Sequence, residues 1–210
     1  MIRTLGELLA WEADADREFC GVDLAEQQET RFKQLGANDP TPTHYFILDQ
    51  LFPYFELDER SHVLDVGCGA GRVLAYFLRE GLPGRMTGVE IDPQLAAVAR
   101  DWTEPYPNVE VLQGSVLDLD FAAYTGFYLF NPFKAGVLRR FVRAVEARVK
   151  RPVTVVHMSD NGDTWWYVGR DGWTELASGK MQHFRNERGV AVKVFEQPQH
   201  YTVWRFEPNR

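Results

Sequence analysis

Val63-Leu-Asp-Val-Gly-Cys-Gly-Ala-Gly-Arg72 decides how this chain is read. An apolar strand pattern enters a glycine cluster, and the helical spacing of Val73, Leu74, Phe77 and Leu78 comes directly after it. Gly67 lets the chain turn sharply. Gly69 lacks a Cβ, so a ligand can lie against the backbone there. Gly71 permits close packing of the helix on the strand. The helix N-terminus then offers unpaired N–H groups and the positive end of its dipole. The spacing is Gly-x-Gly-x-Gly. The dinucleotide fingerprint Gly-x-Gly-x-x-Gly requires glycine at 72, where Arg72 stands.

Downstream, strand and helix patterns alternate. Strands are predicted over 86–91, 109–112, 124–130 and 152–158. A helix starts at Pro93, where proline suits the first turn. Another is carried by Val137, Leu138, Phe141, Val142, Val145 and Val149. Such alternation implies βαβ units: an α/β fold with a mostly parallel sheet and helices on both faces. Residues 190–196 and 201–206 alternate apolar and polar, which predicts a C-terminal antiparallel hairpin closing the sheet. Upstream, residues 1–36 read as two acidic amphipathic helices broken near Gly21. Residues 35–42 read as a loop and 44–52 as a helix. The expected organisation is an N-terminal helical cap, 1–43, before one α/β domain, 44–210.

The totals exclude several classes. The chain has 210 residues, 45% hydrophobic and 25% charged, as in an ordinary globular protein. No run approaches the ~20 apolar residues of a membrane helix. The N-terminus has no signal-peptide pattern. Two cysteines, Cys20 and Cys68, argue against a disulfide framework and for a cytoplasmic setting. The formal net charge of −7 disfavours a nucleic-acid partner. The basic stretch Arg139, Arg140, Arg143, Arg148, Lys150 and Arg151 lies on a helix with an apolar face and is read as a solvated outer face. Histidines and cysteines show no metal-ligand spacing, and no Gly-x-Ser-x-Gly nucleophile turn is present. Nothing in the sequence sets the oligomeric state.

Glu90 ends the second strand in Thr87-Gly-Val-Glu-Ile-Asp-Pro93, where a carboxylate can accept hydrogen bonds from both hydroxyls of a ribose. Asp92 is read as the cap of the next helix. With the glycine turn, this constellation resembles the class I S-adenosylmethionine-dependent methyltransferases, over roughly residues 44–206. The resemblance implies a Rossmann-like fold with S-adenosylmethionine as cofactor. It implies Asp65, Gly67, Gly69 and Gly71 around the methionine moiety and Glu90 on the ribose. The family usually has an acid after the glycine in Leu112-Gln-Gly-Ser-Val-Leu-Asp118. Here Ser115 stands there, so the adenine contact falls to its hydroxyl and to the Val116 N–H, with Asp118 three positions late.

At the end of the fourth strand, Asn131-Pro132-Phe133 resembles the Asn-Pro-Pro-aromatic motif of amine-directed members, one proline short. The resemblance implies that Asn131 accepts from an NH₂ group and that Phe133 stacks on a planar acceptor. The residue-level alternative makes Asn131 a strand-end turn residue. Weaker candidates are Thr43, His44 and Tyr45 as a lid, His157 at the same cleft edge, and the loop 160–167. Trp165, Trp166 and Trp173 read first as packing groups. The expected acceptor is a small molecule or protein, with a nitrogen favoured. The rival functions are an aminopropyl transferase, a nicotinamide dehydrogenase and a non-catalytic cofactor-binding protein.

Overall fold

A computed structural model describes residues 1–25, 29–160 and 163–208. Its helices are α1 (Leu5–Cys20), α2 (Tyr45–Leu51), α3 (Arg72–Arg79), α4 (Pro93–Thr103) and α5 (Ala135–Arg148). Its strands are β1 (His62–Val66), β2 (Arg85–Glu90), β3 (Val109–Gln113), β4 (Gly126–Phe130), β5 (Val153–Met158), β6 (Trp173–Met181), β7 (His183–Arg185), β8 (Ala191–Lys193) and β9 (Gln199–Phe206).

Seven strands form one sheet in the order β3-β2-β1-β4-β5-β9-β6. β1 to β5 are parallel, and β9 runs antiparallel to both neighbours. Alternate side chains of each strand face opposite layers. Val63, Tyr128 and Val156 meet α2 and α3 on one side, while Leu64, Leu129 and Val155 meet α5 on the other. Every residue of β5 is buried, as a strand covered on both faces requires. Each such apolar side chain contributes about 1.5–3 kcal/mol of burial.

α1 begins with a capping box. The Thr4 hydroxyl accepts from the Glu7 N–H, and the Glu7 carboxylate accepts from the Thr4 N–H. Gly21, at φ +76°, ends the helix.

Two expectations are corrected. The second N-terminal helix is absent from the described residues: 26–28 lie outside them, and the chain beyond forms one 3-10 turn, Lys33–Leu35. The hairpin partner of 201–206 is β6 rather than 190–196; β8 pairs with β7 in a separate two-stranded sheet. The physical reason lies in β9. Val203 packs into one layer, Trp204 and Phe206 into the other, so this strand needs neighbours on both edges. β8 offers it little, burying only Val192.

Candidate functional site

At the C-terminal edge of β1, β2 and β4 lies a cavity of about 330 Å³. Open parallel sheets bind ligands at this edge, where neighbouring crossovers leave to opposite faces. Among the residues singled out from sequence, Asp65, Gly67, Gly69, Glu90, Ser115, Val116 and Phe133 line the cavity, and so does Asp118. Gly71 and Asn131 do not.

The three glycines have different reasons. Gly67 sits at φ +76°, and a Cβ there would come within 2.8 Å of Pro132. Gly71, at φ +98°, lies against the Trp102 ring, where a Cβ would approach to 2.9 Å. The Trp102 indole in turn donates to the Ala70 carbonyl, so Gly71 is a packing glycine. Gly69, at φ +56°, has nothing within 4 Å of its Cβ position. The open space beside its backbone belongs to the cavity.

Two carboxylates face that space. Glu90 is buried and takes one backbone N–H on each oxygen, from Gly69 and from Asp92, both at 2.8 Å. Burial nevertheless raises its pKa. Each oxygen keeps a lone pair for a further donor. Asp65 is only 2% exposed, and its Oδ2 has no hydrogen-bond partner. Burial, with the Glu90 charge added, pushes its pKa well above the carboxylate range. Ser115 caps the short turn Val116–Asp118, its hydroxyl accepting from the Leu117 N–H. Asp92 caps α4 as expected.

The segment ahead of α2, which the sequence marks only as a loop, closes the cavity. Asn38 to Thr43 line it. Asn38 N–H donates to the Pro132 carbonyl, and Gly36 accepts from the Lys134 N–H. Ala37 bridges Phe133. The Asn38 amide donates to both the main-chain oxygen and Oδ1 of Asn131, at 2.9 and 3.1 Å. Asn131 itself has φ +43°. The Asn-Asp-Pro-Thr-Pro run signals an irregular segment; no local pattern can signal its docking partner, which lies 93 positions away.

Arg72, the departure from the dinucleotide fingerprint, also lines the cavity and is 3% exposed. Its guanidinium meets Glu12 and Asp16 of α1, both fully buried. Glu12 also accepts from the Tyr45 N–H and meets His44 Nδ1 at 2.8 Å. Asp16 accepts from the Tyr45 hydroxyl at 2.6 Å. Of the three expected lid residues, Thr43 reaches the cavity and bonds the Tyr128 hydroxyl, whereas His44 and Tyr45 turn into this ionic cluster. His157 does not line the cavity: it is buried against the Tyr167 hydroxyl, which corrects its expected place at the cleft. Trp173 is buried, and Trp165 is exposed.

No helix of the described residues is long and apolar enough to cross a membrane, and no cluster among them could hold a metal ion.

Residues 63–151 match the family model described as a methyltransferase domain. A relative from Methanosarcina mazei, named a probable ribosomal RNA small subunit methyltransferase A, is 30% identical over 171 residues, 74% of this chain and 62% of that one. The chain spans less than two thirds of the length of the curated relatives it matches first. Among solved structures, an RNA methyltransferase from Salinibacter ruber with S-adenosyl-L-homocysteine bound superposes with TM-score 0.54 and 21% identity, over 81% of this chain and 95% of that one. A precorrin-6y C5,15-methyltransferase from Geobacter metallireducens superposes with TM-score 0.62 and 16% identity, over 90% and 98%. At these identities the structures share the fold.

Proposed function

Starting from a fold and a glycine loop that belong to the class I S-adenosylmethionine-dependent methyltransferases, we propose that the chain binds this cofactor in its cavity and transfers the methyl group to a nitrogen at the Asn131–Phe133 edge. The observation that carries the reading is the unpartnered Asp65 carboxylate beside the open face of Gly69. A buried anion without a partner is costly, and the ammonium group at the amino-acid end of S-adenosylmethionine supplies what it lacks. Glu90 has lone pairs left for the two ribose hydroxyls, and Ser115 and Val116 border the place left for adenine.

When bound, the cofactor supplies an electrophilic methyl group on a positive sulfur. The chain's own task is to orient the acceptor and exclude water. Asn131 does not itself line the cavity; Asn38, which does, holds its amide with Oδ1 as an acceptor, and that oxygen keeps one lone pair for an N–H of a nitrogen brought to this edge. Phe133 presents a ring at the cavity wall. The strap 36–43 and the α1–Arg72 cluster act as the cap that seals this edge.

The test is Asn131→Ala. Its affinity for S-adenosylhomocysteine should stay nearly intact, while the single-turnover rate falls roughly 30- to 1000-fold, the effect of losing one positioned hydrogen bond. A variant with reduced melting temperature and an unchanged rate per folded molecule would make Asn131 a purely structural strand-end residue. The names of the curated relatives favour RNA as the carrier of the acceptor nitrogen; the net charge of −7 speaks against general polyanion binding. Local charge decides between them.

A further inference from the structure

The outer face of α5 is charged unlike the rest of the chain. Residues 134–151 hold seven Lys and Arg residues and one acid, in a protein of formal net charge −7. Some of these cations have structural work. Arg148 donates to the carbonyls of Leu117 and Leu119, and Arg151 to those of Ala122 and Ala123. The acid, Glu146, is turned to Arg170 and to the Trp173 indole.

Lys134, Arg139, Arg140 and Arg143 are exposed, and none forms an ion pair with a carboxylate among the described residues. Arg143 is a surface neighbour of both Arg139 (i, i+4) and Arg140 (i, i+3) on the helix. Lys134 stands at the N-cap with no acid in the first turn, so the helix dipole adds to the positive field there.

Two details direct this strip toward the site. Arg140 lines the cavity beside Phe133 and Val137. Arg139 lies over the Trp166 ring, 5.5 Å from its centroid. Trp166 packs against Trp165 at a centroid separation of 3.6 Å, and Trp165 is 56% exposed. A row of guanidinium groups thus runs from the cavity wall, at Arg140, to Arg139 over the Trp165–Trp166 pair.

We infer that this face docks single-stranded RNA, with phosphates along Arg139 to Arg143 and an unstacked base on Trp165, bringing the acceptor base to the cavity. The inference rests on the methyl-transfer reading above. Phosphates are what unpaired guanidinium groups recognise, and phosphate contacts position a strand without reading its sequence. The indole selects against the alternatives. An acidic peptide would satisfy the cations and leave the ring unused, whereas a duplex hides its base faces. The overall negative charge keeps the rest of the surface from competing.

Anisotropy of a labelled single-stranded RNA of about a dozen nucleotides tests this, with S-adenosylhomocysteine stabilisation measured on every protein. Wild type should bind RNA at ~50 mM salt and weaken about tenfold by ~150 mM, as three or four phosphate contacts dictate. The pair Arg139→Glu with Arg143→Glu should lose at least about tenfold in affinity and flatten that salt dependence. Trp165→Ala should lose about 5- to 100-fold with the salt dependence kept. Both variants should keep the full S-adenosylhomocysteine shift, which also shows that they fold. The docking inference is overturned if wild type binds S-adenosylhomocysteine and ignores RNA, or if neither variant weakens RNA binding. It is equally overturned if matched duplex DNA or a polyglutamate peptide competes as well as the RNA. Absence of any S-adenosylhomocysteine shift in wild type would instead strike at the methyl-transfer reading itself.

Discussion

Asp65→Asn should move stability and cofactor affinity in opposite directions. The side chain is almost wholly buried, and one of its oxygens has no partner. Leaving a buried polar or charged group unsatisfied costs about 1–3 kcal/mol or more. Asparagine keeps the shape and removes the charge, so the unliganded variant should gain about 1–3 kcal/mol at pH 8. For a chain of this size that corresponds to roughly 2–12 °C in melting temperature. The pH dependence has a definite sign. Because the folded pKa is raised, the carboxyl group costs nothing in acid and destabilises as pH rises through that pKa. The gain should therefore appear toward alkaline pH and vanish toward acid. Binding should go the other way. Losing a charge-assisted contact to the ligand's ammonium costs about 1.5–3 kcal/mol, so S-adenosylhomocysteine should bind roughly 10- to 150-fold more weakly by calorimetry. Methylthioadenosine, which lacks the amino-acid part, should bind both proteins alike. A variant that is less stable at pH 8 yet binds S-adenosylhomocysteine as tightly as wild type would refute the reasoning, because Asp65 would then be a structural group.

Arg72→Met should cost about 3–5 kcal/mol in urea unfolding, because Glu12 and Asp16 would be left buried without their cation; adding Glu12→Gln and Asp16→Asn should recover most of it, and a single-variant cost under about 1 kcal/mol would contradict the buried network. His157 should make the fold acid-sensitive. Burial pulls its pKa down from 6.5 to about 4, so as pH falls below about 6.5 the unfolded chain takes up a proton that the folded one refuses, and about 2–3 kcal/mol is lost by pH 4.5. His157→Gln should lose correspondingly less between pH 7.5 and 4.5; parallel losses in both proteins would show that another group governs acid unfolding.

The core of the fold was legible because local pattern and tertiary role agree there. β1, β2, β4 and β5 are parallel strands buried on both faces, so their apolar runs stand out; β3, at the sheet edge, buries only Val111 and shows as an alternation instead; and the glycine turn needs its residues for local backbone reasons. Of the two cavity carboxylates, Glu90 was legible as an acid at a strand end, whereas Asp65 came only from the family resemblance; both line the cavity. β6 was not legible. Its middle, Thr174 to Lys180, is largely exposed, so it carries little burial pattern, and 190–196 offered a nearer false partner for β9. Arg72 read only as a missing glycine, because its partners Glu12 and Asp16 are 60 and 56 positions away. The basic face of α5 was visible in the sequence as a solvated outer face, but the place of Arg140 at the cavity and of Arg139 over the Trp165–Trp166 pair comes only from packing.

The insertion of β9 between β5 and β6 also sets an order of assembly. As the polypeptide leaves the ribosome, β1 to β4 can pair as each emerges, and the glycine loop and Glu90 come together with them. β6 cannot join, because its partner in the sheet is β9. Until residues 199–206 are made, β5 keeps one open edge and β6 has no place in the sheet. Pairings of this sequence separation close slowly, and open strand edges in a nascent chain invite association with other chains. The glycine loop and Glu90 are therefore assembled before the sheet is complete, and the edge of β5 stays vulnerable to aggregation until β9 arrives.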